Sequence, residues 1–481
     1  MTRLSRRACL ATAAAAATGL AGCNASNGSE TATGDGVGAT TTATPTGTPG
    51  ATPTATPTGI APDATISGTS PALVDGDPEI VVEGLAPGSQ VTLTATTTAA
   101  DGREWGSRAT FEADAAGRVR VSEQAPVEGA YEGVDGAGLL WSMRPVGDVS
   151  PERAWFVPPR TAAAETTVSA TTNGVTVAET TLVRRFGAPG VTTERVDADD
   201  VVGTFVAPDV DDPRPGVLVL HGSGGDPDVF TATMLASHGY PALAVKYFGS
   251  EDPIPDDLLE VPLSYFDRAA EWLRGRPTVR DGDLGVYGAS KGGEGALFLA
   301  AYADWVGAVV ADVPSGVAFE GLTPEWRWAG SSSWAVDGDP VPYVPGGGCF
   351  ADTTDDGLYR MTAAYECALS GADEGAVGDA TFPVESCDGP ILCVSGAQDE
   401  MWPSPRLTEF AVDRLREHDA ADRIDHRAYE AAGHVIPIPY RPTYGLSAGN
   451  GLLLGGTPAG IARASADWWP RALERFERGL D

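Results

Sequence analysis

Apolar and polar residues alternate with a period of two in short runs between residues 64 and 185. Glu79-Ile80-Val81-Val82-Glu83, Gln90-Val91-Thr92-Leu93-Thr94-Ala95, Ala109-Thr110-Phe111-Glu112-Ala113 and Val175-Thr176-Val177-Ala178-Glu179-Thr180 are examples, separated by Gly, Pro and Asp turns. Successive side chains of a strand point to opposite faces, so these runs predict an antiparallel, immunoglobulin-like β-sandwich over 64–185. From residue 191 the pattern changes. Continuous apolar runs at Val217-Leu218-Val219-Leu220, Ala242-Leu243-Ala244-Val245, Leu284-Gly285-Val286-Tyr287, Ala308-Val309-Val310-Ala311 and Ile391-Leu392-Cys393-Val394 alternate with helix-period segments such as 263–273. Strands buried on both faces and joined through helices predict one large domain, 186–481, with a mostly parallel sheet covered on both sides. An irregular insertion is expected at about 316–386.

The start of the chain reads differently. Ser5-Arg6-Arg7 precedes an alanine-rich stretch to Leu20, with no acidic residue before Glu30, and Leu20-Ala21-Gly22-Cys23 has the form of a lipoprotein box. Residues 1–22 are therefore expected to be a twin-arginine export signal, with Cys23 lipidated as the new N-terminus. Residues 23–63 repeat an Ala-Thr-Pro-Thr texture that lacks the apolar surface to fold, which predicts a disordered stalk. Elsewhere no apolar run approaches the roughly 18 residues of a spanning helix. The expectation is a protein exported to the outer face of the cell membrane, touching it only through the lipid at Cys23.

Charge narrows the setting. The 481 residues carry 66 Asp+Glu against 32 Lys+Arg, a formal net charge of −34, and lysine occurs only at Lys246 and Lys291. Nucleic acid is excluded as a partner, since its phosphates require a basic face. Extreme acidity with few lysines suits concentrated salt, where a Debye length of about 3 Å lets crowded carboxylates coexist, so the chain reads as halophilic. Four cysteines, Cys349, Cys367, Cys387 and Cys393, lie in the predicted folded part and allow three pairings; Cys349 with Cys367 is preferred because both fall in the insertion. No Cys or His pair has metal-ligand spacing, so neither a metal nor a cofactor is expected.

The candidate chemistry sits in the second domain. Gly288-Ala289-Ser290-Lys291-Gly292 follows an apolar run and precedes a helical segment, the context of a nucleophile elbow. A second match, Gly445-Leu446-Ser447-Ala448-Gly449, lacks that context. A serine needs a base and an orienting acid. His434, in Ala431-Ala432-Gly433-His434 after a strand-like run, is the expected base; His221, His238, His418 and His426 are read as structural. Asp399, directly after the Ile391-Leu392-Cys393-Val394 run, is the expected acid, with Glu400 and Asp312 as runners-up. The order Ser290, Asp399, His434 is that of an α/β-hydrolase. The loop His221-Gly222-Ser223-Gly224-Gly225 would supply oxyanion donors, the N–H of Lys291 joining one from Ser223 or Gly224. Lys291 is also expected to offset the local negative field, and Trp326, Trp328 and Trp334 either to cap an acyl chain or to pack the insertion.

These motifs resemble a family. Trp105-Gly106-Ser107, Tyr131-Glu132-Gly133-Val134-Asp135 and Gly138-Leu139-Leu140-Trp141-Ser142-Met143 in the first domain are similar to the acyl-CoA thioesterases and bile-acid-CoA:amino-acid acyltransferases. So are the Ser290 elbow, Ser395-Gly396-Ala397-Gln398-Asp399-Glu400-Met401-Trp402-Pro403-Ser404, Ala432-Gly433-His434 and Gly455-Gly456-Thr457-Pro458 in the second. The resemblance implies a serine hydrolase of acyl thioesters or carboxylic esters, with Ser290, Asp399 and His434 as triad and an acyl-enzyme intermediate. The family's transferases use a cysteine nucleophile, so a serine favours hydrolysis. Acyl transfer from acyl-CoA to an amino acid, and a non-catalytic cell-surface binding module, are the alternatives. Acyl-CoA is cytosolic, and an export signal sets that substrate in tension with the predicted location.

Overall fold

The computed structural model describes residues 64–158, 163–323 and 326–480. The expected signal, Cys23 and the stalk lie outside the described residues. The N-terminal region is a separate β-rich domain. A small antiparallel sheet joins Thr65–Ser67, Val81–Glu83 and Val119–Arg120. The larger sheet runs in the order Ala72–Leu73, Val175–Arg185, Ala163–Thr172, Gln90–Thr98, Glu104–Glu112, Glu128–Gly129. Its first pair is parallel, a departure from the antiparallel expectation confined to a two-residue edge strand. Gln90–Thr98 and Glu104–Glu112 bury every second residue, placing Val91, Leu93, Trp105 and Phe111 between the sheets. This is the alternation that the sequence displays.

The second domain is an eight-stranded mixed sheet. Its strands are β1 (Thr192–Ala198), β2 (Val201–Ala207), β3 (Val217–Leu220), β4 (Ala242–Lys246), β5 (Leu284–Ala289), β6 (Val306–Asp312), β7 (Ile391–Gly396) and β8 (Ile424–Tyr429). The spatial order is 1-2-4-3-5-6-7-8. β3 to β8 are parallel, while the β1–β2 hairpin joins antiparallel to β4. Hairpin formation at this edge was invisible in the apolar pattern, because β1 is largely exposed.

Successive residues of the buried strands enter different cores. Val217, Val219, Ala242 and Ala244 face α1 (Val229–Ser237) and the C-terminal α5 (Pro458–Leu480), whereas Leu218, Leu220, Leu243 and Val245 face α2 (Leu263–Arg274), α3 (Lys291–Tyr302) and α4 (Ser404–Glu417). Burial on both faces is why these strands read as unbroken apolar runs. The sandwich packs on this domain through Trp469 Nε1, which donates to Asp75 (2.7 Å), and Leu446 N–H, which donates to Glu152 O (2.7 Å).

Residues 313–390 form the insertion between β6 and β7, with a hairpin of Glu320–Leu322 and Trp328–Ser332 and a helix, Thr362–Gly371. Cys349 and Cys367 are disulfide-bonded, as preferred, and Cys387 and Cys393 are buried free thiols. The tryptophans divide between the two expected roles. Trp334 is fully buried and stacks on Phe298 at 5.3 Å, and Trp328 packs on Tyr365, also at 5.3 Å; Trp326 alone of the three lines the cavity over Ser290.

Candidate active site

β3 and β5 lie side by side where the strand order reverses, and the loops after their carboxyl ends form a crevice, the usual ligand position in an open α/β sheet. Ser290 stands in that crevice between β5 and α3 with φ 58° and ψ −122°. A non-glycine residue at positive φ is strained and persists where its surroundings hold it. Here the Ser290 N–H donates to Asp312 O at 2.9 Å. The flanking glycines are required by close approach. A Cβ on Gly288 would stand 2.0 Å from Gly292 O, and one on Gly292 would stand 2.5 Å from His221 O.

The turn aims Ser290 Oγ at His434, whose Nε2 is 2.8 Å away. His434 Nδ1 lies 2.9 Å from Asp399 Oδ2 and 3.0 Å from Oδ1, so that nitrogen carries the proton and Nε2 accepts from the serine hydroxyl. Asp399 is fixed in turn by the N–H groups of Met401 (2.9 Å) and Trp402 (3.2 Å), both donating to Oδ1. Trp402 is itself anchored, Nε1 donating to Val313 O at 3.0 Å, and its ring sits edge-on to His434. His434 N–H donates to Leu454 O at 2.8 Å, tying the histidine loop to the chain that follows it. His434 and Asp399 are buried, so the network is shielded from competing water.

The runner-up acids are placed elsewhere. Glu400 pairs with Arg360 at 2.5 Å. Asp312 makes no bond to His434; burial, and then the charges of Asp399 and Asp228, push its carboxyl well above the usual range. The decoy serine is structural. Ser447 is buried at the domain contact, its N–H and hydroxyl donating to Glu152 O, while its carbonyl accepts from Trp155 Nε1.

One expectation, that for the lysine side chain, is corrected. In the glycine loop, Gly222 and Ser223 line the cavity beside Ser290, Gly224 is exposed, and Gly225 N–H closes a tight turn on Gly222 O. The N–H of Lys291, first residue of α3, has no protein acceptor among the described residues and remains free for an oxyanion. Its ammonium does not reach the crevice, however. Lys291 Nζ is buried against Glu294 and Ser333, with burial lowering the lysine pKa and raising that of Glu294, so it leaves the surface field unchanged.

The cavities share Gly222, Ser290 and His434. One, of about 210 Å³, is walled by Trp326, Met401, Leu452, Leu454 and residues 448–450. The other, of about 200 Å³, adds Asp228, Asp312 and Arg441 to apolar residues of the His434 loop. The 448–450 wall and Arg441 were missed in the sequence. Ala448 and Gly449 of the first belong to the decoy motif itself and Asn450 follows it, and the second has no pattern around it that signals a site. Among the described residues, no cluster of three or more His, Cys, Asp or Glu could hold a metal ion, and no helix is long and apolar enough to cross a membrane.

Comparison with known proteins follows the same division into two halves. Residues 75–198 match the acyl-CoA thioester hydrolase/BAAT N-terminal region, and residues 261–481 match the BAAT/acyl-CoA thioester hydrolase C-terminal region. Peroxisomal succinyl-coenzyme A thioesterase of Mus musculus is 28% identical over 418 residues, covering 83% of this chain and 93% of that protein. Acyl-coenzyme A thioesterase 1 of Homo sapiens is 28% identical over 407 residues, covering 83% and 93%. Similar solved structures include a putative dienelactone hydrolase from Klebsiella pneumoniae (TM-score 0.37, 16% identity, 60% of this chain and 99% of that chain). Another is the Pyrococcus horikoshii acylaminoacyl peptidase (TM-score 0.39, 12% identity, 85% and 60%). With both of its folded domains matched, the chain belongs to the acyl-CoA thioester hydrolase/BAAT family.

Proposed function

We propose that the protein hydrolyses acyl thioesters or carboxylic esters through an acyl-enzyme on Ser290. The observation that carries this reading is the continuous chain from Ser290 Oγ through His434 to Asp399. His434 Nε2 takes the hydroxyl proton as Oγ attacks the carbonyl carbon. The resulting oxyanion is held by the N–H groups of Lys291 and Ser223, at the positive end of α3. Collapse of the tetrahedral intermediate breaks the bond to sulfur or oxygen, and the imidazolium returns the proton to the leaving thiol or alcohol. Water then repeats the sequence on the acyl-serine and releases the acid. Asp399 keeps the ring in its productive tautomer and stabilises the imidazolium.

Hydrolysis of a panel of acyl-CoA and p-nitrophenyl esters in molar salt tests the reading, together with fluorophosphonate labelling. Ser290→Ala should abolish both turnover and label; full activity in that variant would overturn it. We further propose that the protein works outside the cell, tethered by a lipid on Cys23 after loss of residues 1–22. The export motif and the Thr/Pro-rich stalk support this. Mass spectrometry of the N-terminal peptide from native cells would find an acylated Cys23, and an unprocessed Met1 would dismiss the tether.

A further inference from the structure

One wall of the first cavity at Ser290 hangs between the two domains. Residues 446–448 and 452–454 run antiparallel, Leu454 N–H donating to Leu446 O and Ala448 N–H to Leu452 O, each at 2.8 Å. Ala448, Leu452 and Leu454 of this hairpin line the cavity. Its second strand is tied to the catalytic domain: Leu454 O accepts the His434 N–H at 2.8 Å, and Leu453 N–H donates to Tyr359 O at 2.9 Å. Its first strand is held by the sandwich domain. Glu152 O accepts the N–H groups of Leu446 (2.7 Å) and Ser447 (3.1 Å), and Trp155 Nε1 donates to Ser447 O at 2.9 Å.

The indole of Trp155 is also part of the wall's backing. It packs against the apolar cluster of Met401, Leu452 and Leu454, and all three of these line the catalytic cavity. The same side chain lines a separate cavity of about 80 Å³ at the domain contact, beside Val435, Thr443 and Tyr444. Gly445 lets the hairpin close on it: φ there is 124°, and a Cβ would stand 3.1 Å from the indole. One side chain of the first domain therefore separates the catalytic cavity from an interdomain one. Truncating such a side chain joins the spaces, because the surroundings collapse only in part.

We propose that Trp155, a residue of the sandwich domain, sets the far limit of the catalytic cavity and so the length of acyl group that the Ser290 site accepts. The inference rests on the hydrolase reading above and gives the first domain a part in its specificity. At the ~30 Å³ that a water occupies, about 210 Å³ accommodates roughly seven heavy atoms, which suits a short acyl chain. A longer chain must either displace the wall that Trp155 backs or lie in solvent. With the indole removed, the added methylenes gain a buried path, and each one buried is worth about fourfold in affinity.

A chain-length series tests this in the full-length protein, with p-nitrophenyl butyrate, octanoate and decanoate as substrates. Trp155→Ala should raise the decanoate-to-butyrate ratio of kcat/KM by about tenfold or more, the gain from two or more newly buried methylenes, and should do so through a lower KM for decanoate. Trp155→Phe loses the hydrogen bond to Ser447 O but keeps a ring in the wall, so it should move the ratio far less. A purely structural role predicts the same loss on every ester. Equal losses across the series, or an unchanged ratio, would overturn the proposal. Should Trp155→Ala fail to fold, Trp155→Leu decides: its ratio must rise by about threefold or more, and a wild-type ratio rejects the assignment. Absence of Ser290-dependent turnover of butyrate in the wild type would instead sink the hydrolase reading and this inference with it, an outcome distinct from any change in ratio.

Discussion

Lys291 and Glu294 stand one turn apart on the helix behind the nucleophile, with Nζ 3.0 Å from each carboxylate oxygen and side chains only 1% and 0% exposed. Trp334 Nε1 donates to the same carboxylate at 2.9 Å, so the pair fastens α3 to the insertion that covers it. A buried ion pair adds little net stability, but half of one is a strong liability.

Glu294→Ala should therefore cost about 3–5 kcal/mol by leaving the ammonium uncompensated, and Lys291→Met/Glu294→Leu should cost clearly less than that single change. Denaturant unfolding of the two variants in the same buffer provides the comparison. A double variant less stable than Glu294→Ala would contradict this account.

Asp399→Asn preserves the acceptor for Met401 and Trp402 N–H, but its amide disfavours the tautomer that leaves Nε2 of His434 free to take the serine proton. The kcat on p-nitrophenyl butyrate should fall by about 10⁴-fold with KM little changed. Glu400→Gln, which loosens the partly exposed contact with Arg360, should change kcat by less than tenfold. A smaller loss at 399 than at 400 would move the acid role away from Asp399.

His221 gives a pH dependence of stability. Burial lowers its pKa from the usual 6.5 to about 4, and the ring stacks on Tyr247 at 4.1 Å. Between these values the unfolded chain binds a proton that the folded chain refuses, so stability is intact above pH 6.5 and is lost as the pH falls towards 4. The loss is about 3 kcal/mol. His221→Phe keeps an aromatic ring against Tyr247 and should flatten that part of the curve. Unfolding free energies at pH 7, 5.5 and 4.5 will show it, and parallel curves for the two proteins would refute the assignment.

The Cys349–Cys367 bond closes a loop of sequence separation 18 within the insertion. The chain-entropy argument assigns a loop of this size about 3 kcal/mol. Replacing both cysteines by serine should lower stability by about that amount, with a larger effect on activity than on the N-terminal sandwich. Limited proteolysis should place the first new cut between 346 and 371. Initial cleavage in the sandwich would argue against a local role.

The elements that were legible in the sequence are those governed by local rules. Period-two alternation marked Gln90–Thr98 and Glu104–Glu112 because a strand shows its two faces in turn, and unbroken apolar runs marked β3 to β7 because both faces are covered. The edge strand β1 was not legible, since an exposed strand needs no apolar signal. Ser290 was legible because the elbow needs glycine where backbone approaches backbone, at 288 and 292, and its chain order with Asp399 and His434 is preserved.

What the chain itself determined about this protein is its charge and the residue types at each turn of the backbone. The tertiary structure decided what those residues meet. It sent the Lys291 ammonium into the interior, buried Ser447 against the sandwich and brought Arg441 into the lining of the nucleophile's cavity. The physical reason is range. Backbone sterics and hydrophobic periodicity act over a few residues, whereas the partner of a charged side chain is chosen by packing between segments far apart in sequence.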